Sequence, residues 1–418
     1  MRRLLRHVAI LPGEGSFIPN GFILINADRI EALGPGDGPR PGEAPPPDAA
    51  RDAQGLVAIP GLINAHTHLS LTNYRGIADD VRLFEFLVET RKHWGKSTAQ
   101  DAFEAALAGC RAAVRSATTC LVDSHPTSPG PAAEAARRVG VRLVGATAAR
   151  SLWFGEPAVD TLEVVVRETD AVAAQYARDD LMFMPSLAAH SPYNCSAEQI
   201  RHVKAACRDR GWLFAIHLAE CEEEVELIRR WHSMTPTAYL DSLGVLDDRT
   251  LLAHGVFLTD DDIRRLADRG SHLMHCPKSN AKLGDGIAPI PACLRQGVSV
   301  ALGTDSMVSN NNLDMLEEMR FAALIHRGLH RAPDVMTARG VFAMATVEGA
   351  RALGLADQLG SLRPGKKADL ALLALQPPLG MTEQAVLSEL VFHATAETVR
   401  TVFVDGRPVL DDGAVLAA

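Results

Sequence analysis

The chain has 418 residues, 47% of them hydrophobic and 22% charged, and a formal net charge of -9. This is soluble globular composition with enough chain for a large core. It argues against a nucleic-acid polymer as partner, because no basic stripe is present, and no apolar run reaches the length of a membrane span.

Residues 1 to about 56 read as short strands. VAILP, GFILINADRIEALGP and QGLVAIP are β-rich runs punctuated by Gly, Pro, Asn and Asp. Between them GPGDGPRPGEAPPPDAA reads as a solvated Pro/Gly loop. The opening arginines resemble the n-region of a secretory signal, but the apolar segment breaks at Pro12 and no cleavage site follows. The seven cysteines are odd in number and lack a C-x-x-C pair. They read as reduced thiols packed in the core of a cytoplasmic protein, with Cys221 and Cys276 lying beside candidate site residues.

From Ile59 to about Ala352, apolar strand-like runs alternate with amphipathic helical ones. The runs are AIPGLINAHTH, TTCLVDSH, VRLVGATAAR, LMFMPSLAAHSPY, LFAIHLAE, TLLAHGVFL, HLMHCPKSN and VSVALGTDS. The segments between them, such as AEQIRHVKAACRDRG and TDDDIRRLADRG, carry a Ser/Thr/Asp start, apolar spacing of 3–4 and a terminal Gly. Eight such units predict an α/β fold, a (β/α)8 TIM barrel. Beyond about residue 360 the chain returns to β character in LRPGKKADLALLAL and VRTVFVDGRPVL, with Asp405-Gly406 as a hairpin turn. The expected organisation is a small β-sandwich domain from residues 1–58 and 360–418, with the catalytic barrel at 59–359 inserted between them.

In such a barrel catalytic residues stand at the C-terminal ends of strands. His66, His68, His125, His190, His217, His254, His275 and Asp305 all fall there. His66 and His68 are two residues apart, so on a strand both imidazoles face one side and can reach one ion. With His217 and Asp305 they form a set of nitrogen and carboxylate donors suited to Zn2+ or Fe2+. Such an ion lowers the pKa of a bound water. His254 is a further ligand or a hydrogen-bond partner of that water. Glu220, three residues after His217, is the candidate proton shuttle, provided the chain turns after Leu218. The acidic run Glu222, Glu223, Glu224 and Glu226 reads as a solvated helix N-terminus. Asp305 has a competing reading as the N-cap of the helix in NNNLDMLEEMR, for which Asn310 to Asn312 offer alternatives.

PGLINAHTHLSLTNYRG, HSPYNCS, HLAE, LLAHGVFL, HCPKSNAKLGDGIAPI, LGTDSMVSNNNLDMLEEMR and GSLRPGKKADLALL together resemble the amidohydrolase superfamily, in its cytosine-deaminase-like branch of s-triazine hydrolases, guanine deaminases and S-adenosylhomocysteine or aminodeoxyfutalosine deaminases. The resemblance implies one divalent metal on His66, His68, His217 and Asp305, zinc first, with iron or manganese as alternatives. It implies His254 on the metal-bound water, Glu220 as shuttle and His190 on the substrate, with His275 a further pocket candidate. The fourth run lacks the lysine that would bridge a second metal. The segment VRLFEFLVETRKHWGKS is short where nucleoside deaminases often carry an acidic ribose-binding residue; Glu85 and Glu89 are the substitutes on offer. Arg91, His93, Trp94 and Arg150 are candidate pocket residues. The expected activity is metal-dependent hydrolytic deamination of an amino-substituted aromatic heterocycle, purine or nucleoside. The same machinery could instead remove chloride or an alkylamine from a triazine, or open a cyclic amide. A non-catalytic scaffold is disfavoured because all ligands are retained. The expected partner is a small heterocyclic molecule, with a homo-oligomer left open.

Overall fold

The computed structural model describes residues 1–39, 47–125, 128–150, 152–153, 156–157, 162–378 and 380–416. Part of the expected Pro/Gly loop, residues 40–46, lies outside them. All eight strand-like runs form strands of one parallel sheet: Leu62–Thr67, Thr118–His125, Arg142–Ala149, Phe183–Ala189, Leu213–Leu218, Thr250–His254, His272–His275 and Ser299–Leu302. They are called barrel strands one to eight below. Each hydrogen-bonds its sequence neighbour in parallel register.

Helices return the chain between strands, and their ends follow from the local sequence. Ser196 caps Ala197–Arg210 by accepting from the Gln199 amide, and Gly211 ends it at φ 67°. Thr259 and Asp262 form a capping box on Asp260–Arg269. Alternation along the strands divides the apolar residues. Ile63, Val122, Val144, Leu251, Met274 and Ala301 join one cluster drawn from the strands' inner face. Leu62, Leu121, Leu143, Leu252 and Leu273 join the larger cluster with the helices.

Strands one and eight are the ends of this sheet, and three hydrogen bonds stitch them at the top. The Asp305 amide donates to the His66 carbonyl (2.9 Å). Asn64 Nδ2 donates to Thr304 Oγ1 (2.7 Å) and Asn64 Oδ1 accepts from the Thr304 amide (3.0 Å). Gly303 permits this approach, since a Cβ there would sit 2.8 Å from the His66 backbone nitrogen. The barrel is nearly closed, and its seam lies under two of the predicted metal ligands.

Residues from both ends of the chain meet in one nine-stranded mixed sheet. Leu370–Leu373 pairs antiparallel with Val57–Pro60 on one side and Val399–Val404 on the other. Leu5, Ile23, Ala58, Leu370, Leu372 and Phe403 share its apolar cluster. The sandwich read from the sequence is realised as this one continuous sheet. Asp405 and Gly406 form the expected hairpin turn, at φ 53° and 70°. Arg142, at the start of barrel strand three and 0% exposed, ties the sheet to the barrel. Its guanidinium donates twice to Asp369, at 2.7 and 2.8 Å, and once to Asp405 at 2.5 Å. The seven cysteines are buried free thiols. Among the described residues no helix is long and apolar enough to cross a membrane.

Candidate active site

His66, His68, His217, His254, Glu220 and Asp305 converge at the C-terminal end of the barrel. Ligand atoms of His66, His68 and Asp305 lie within 4.8 Å of one another, as do those of His66, His217 and His254 and those of Glu220, His254 and Asp305. Three of the strand ends take a left-handed backbone at a non-glycine residue: Ala219 at φ 48°, His254 at 78° and Asp305 at 61°. Such conformations are uncommon and costly, and they cluster where structure serves a site. The turn at Ala219 is the one that a cooperating His217 and Glu220 require. Asp305 is not a helix cap. Asp314 caps Met315–His330, accepting from the amides of Leu316 and Glu317.

Hydrogen bonds orient His68, His217, His254 and Asp305. His68 Nδ1 donates to the Ser124 carbonyl (2.8 Å), and His217 Nδ1 donates to the His190 carbonyl (2.6 Å). A carbonyl only accepts, so both imidazoles carry a proton on Nδ1. Their Nε2 atoms nevertheless face each other at 3.3 Å. In the neutral rings these are two lone pairs in close approach, an arrangement that a cation between them relieves. His66 Nε2 and His254 Nε2 are buried without a hydrogen-bond partner. His66 Nε2 and His68 Nε2 stand 3.6 and 3.4 Å from Asp305 Oδ1. The other carboxylate oxygen, Asp305 Oδ2, accepts from Ser279 Oγ (2.6 Å) and Ser309 Oγ (2.7 Å), leaving Oδ1 for the centre. His254 Nδ1 meets Asn280 Oδ1 at 2.9 Å. The short helix Pro277–Lys282 therefore sets both Asp305 and His254. The donor set fits a divalent ion.

The electrostatics agree with that fit. Burial and the neighbouring imidazoles hold His66 well below the usual histidine range, and push His217 down to about 3. Burial opposes ionisation of Asp305, but His68, His66 and His254 outweigh it and hold the carboxyl low. Glu220 goes the other way: burial, with Asp285 and Asp305 nearby, raises it well above the carboxylate range. Its Oε1 lies 3.5 Å from His254 Nε2. A carboxyl whose proton affinity is raised by burial is a stronger acceptor for the proton of a nearby water, which suits it to proton transfer.

A cavity opens over this cluster. His68, His217, Glu220, His254 and Asp305 form its floor, and His190 and Tyr193 stand beside them. Leu71, Leu83, Phe86, Leu87 and Leu283 make its outer wall apolar. Trp94 and Arg150 complete the wall, with the guanidinium 5.4 Å from the indole centroid.

Several expectations need correction. His275 does not line the cavity. Met274 joins the inner cluster, so by alternation His275 points outward, where its Nε2 lies 3.1 Å from His326 Nε2. Glu85 and Glu89 are likewise absent from the cavity wall, which takes Leu83, Phe86 and Leu87 from their helix. From the next turn Trp94 lines it, whereas Arg91 and His93 do not. Cys221 and Cys276 are buried, and burial raises both thiols. His125 is buried at its strand end, its Nδ1 accepting from the Ser128 amide at 3.1 Å. Glu224 is not solvated: it is 0% exposed and bonds the catalytic turn. Its position three residues into the helix after Cys221 is the signal that could have found it, since such a glutamate can reach back to preceding amides. Ser279 and Asn280 carried no such signal, because their bonds to Asp305 and His254 join different strand exits, whereas Ser309 lies four residues after Asp305 in its own loop.

Comparison with known proteins places these features in context. Residues 57–409 match the sequence model described as the amidohydrolase family. The 5′-deoxyadenosine deaminase of Methanothermobacter thermautotrophicus is 37% identical, covering 95% of this chain and 90% of its own. A 5-methylthioadenosine/S-adenosylhomocysteine deaminase of Moorella thermoacetica is 36% identical over 99% of this chain and 95% of its own. Among solved structures, a zinc-bound adenosine deaminase from Xanthomonas campestris superposes with a TM-score of 0.91 at 27% identity, covering 99% of this chain and 94% of that one. A zinc complex of atrazine chlorohydrolase from Arthrobacter aurescens gives a TM-score of 0.90 at 26% identity, covering 100% and 97%.

Proposed function

The chain belongs to the amidohydrolase family, and from that premise we propose that it deaminates the adenine ring of a 5′-modified nucleoside. It is a metal-dependent hydrolase of carbon–nitrogen bonds other than peptide bonds. One observation carries the reading of hydrolytic deamination beyond the relatives. Glu220, a buried carboxyl raised well above its ordinary range, stands between the imidazole cluster and an apolar cavity.

We assign the ion to His66, His68, His217 and Asp305, one per chain and zinc by preference; bound there, it makes a water acidic enough to act near neutrality. The protein's own groups do the rest. Glu220 takes the proton of the attacking water and delivers it to the ring nitrogen beside the amine-bearing carbon. With Asp305 Oδ1 fixed at the centre, His254 Nε2 accepts the hydrogen bond from the water's other hydrogen and aims its oxygen at that carbon. The C–O bond forms; Glu220, free again once the ring nitrogen is protonated, carries the second proton from the new hydroxyl to the amine, so the C–N bond breaks, ammonia leaves and a carbonyl remains. His190, its ring tied to Asn194 at 3.0 Å, is placed to contact the base.

The wall supports the choice of nucleoside. Leucines and Phe86 suit a 5′-deoxy or alkylthio substituent better than a phosphate. Arg150 is the one cationic side chain of that wall among the described residues, suited to a carboxylate at the far end of a longer substituent. Triazine substitution is the second reading; it uses the same machinery, but its solved example is 26% identical whereas the nucleoside deaminases reach 36 and 37% over nearly the whole chain.

Ammonia release should be measured across adenosine, 5′-deoxyadenosine, 5′-methylthioadenosine, S-adenosylhomocysteine, AMP, guanine and a chlorotriazine. Turnover should be highest among the 5′-modified adenosines and lowest on AMP, in protein holding about one divalent ion per chain. Release of chloride from the triazine with no adenosine deaminated would overturn the proposal.

A further inference from the structure

Glu224 is the strongest unassigned group near the site, and no step above uses it. It lies at the third position of the helix Glu222–His232, whose N-cap Cys221 supplies no side-chain cap. A glutamate there ordinarily reaches back to the N-cap amide. Glu224 reaches further. Its Oε1 accepts from the Ala219 amide and its Oε2 from the Glu220 amide, both at 2.9 Å. Both oxygens are thus spent on two consecutive N–H groups of the turn between His217 and Glu220. Ala219 holds φ 48° there, and its carbonyl accepts from Phe257 (3.0 Å), while the Leu218 carbonyl accepts from Gly255 (2.9 Å). An alanine gains nothing of its own from a left-handed backbone, so the conformation persists because its surroundings impose it. Burying a carboxyl completely, at 0% exposure, is itself costly. A helix N-terminus alone does not require that expense, since a serine or aspartate at position 221 would cap it more simply.

We propose that Glu224 is a positioning residue for the reaction, a two-pronged clamp that holds the Ala219–Glu220 turn so that the Glu220 carboxyl meets His254 and the substrate. This rests on the assignment of Glu220 as proton shuttle. The clamp is specific to a carboxyl with two acceptor oxygens. A glutamine offers one oxygen and one NH2 group, and the NH2 would confront an amide N–H. The turn then relaxes, and Glu220 is misplaced while His217, inside its strand and tied to the His190 carbonyl, stays where it is.

The test compares Glu224→Gln with the double variant Ala219→Gly/Glu224→Gln. A misplacement of about 1 Å can cost about 10²-fold in rate. Glu224→Gln should therefore lose about 10²-fold in kcat, with KM changed less than about threefold and metal content unchanged. Glycine adopts positive φ without cost, so Ala219→Gly should restore about tenfold of the loss. A merely structural glutamate would give no such recovery. Hydrogen exchange adds a readout independent of any substrate. The Ala219 and Glu220 amides should be slow in the wild type and markedly faster in Glu224→Gln. Unchanged exchange overturns the clamp, even if no nucleoside is deaminated by the wild type and the functional reading has failed. Faster exchange with near-normal kcat, loss of metal together with kcat, or no recovery in the double variant overturns the positioning role. If Glu224→Gln does not fold, the glycine double variant carries the same measurements.

Discussion

At the scale of single residues, the site separates groups that hold an ion from groups that move a proton. His217 has its Nδ1 committed to a carbonyl and its Nε2 turned inward, which is the stance of a ligand. Glu220 is buried with a raised carboxyl beside His254, which is the stance of a shuttle. The two substitutions should therefore differ in kind. Glu220→Gln keeps shape and hydrogen bonding, so metal analysis should find the ion retained while kcat falls at or beyond the upper end of about 10²–10⁴-fold. His217→Ala removes a donor and should empty the site. Near-normal turnover by metal-loaded Glu220→Gln would transfer the proton work to Asp305 or His254.

At the scale of elements, the seam between barrel strands one and eight governs the site. Strand eight approaches so closely that a Cβ on Gly303 would lie 2.8 Å from both the nitrogen and the Cβ of His66. Neither atom can move without shifting a ligand. Gly303→Ala should destabilise the protein by about 1–3 kcal/mol, the usual cost of overpacking. It should also weaken metal binding, because His66 and the Asp305 amide share that seam. Denaturant titration and competition with a chelator check the two effects separately. A stable Gly303→Ala protein with wild-type metal retention would show that the seam is looser than its contacts indicate.

For the whole molecule, Arg142 links the barrel to the mixed sheet through Asp369 and Asp405. We propose residues 1–58 with 360–418 and residues 59–359 as two structural units joined by this clamp. Arg142→Met leaves Asp369 buried beside a methionine with its countercharge gone. Removing one partner of a buried ion pair typically costs about 3–5 kcal/mol. Calorimetry should show a lower transition temperature and a transition broader than that of the wild type, or split, as the units uncouple. An unchanged, single transition would count against the clamp.

What the chain determined locally was the order of elements and the identity of the donors. Eight apolar runs, seven of them ending near His, Glu or Asp, specify strands whose tips carry chemistry, because strand period and barrel polarity are properties of the backbone itself. The turn after Leu218 was also legible, since a straight strand could not bring His217 and Glu220 together. At His275 the strand-end position suggested a pocket, and only the inward packing of Met274 shows that alternation turns it outward. Tertiary structure alone decided which neutral side chains serve the site. Ser279 reaches Asp305 and Asn280 reaches His254 from the short helix Pro277–Lys282 at another strand's exit, and Leu83 and Phe86 rather than Glu85 or Glu89 face the cavity. These contacts depend on the barrel having closed, so no local pattern records them. Glu224 shows the boundary between the two: its helical position was readable, but its burial against the catalytic turn follows from the packing around it.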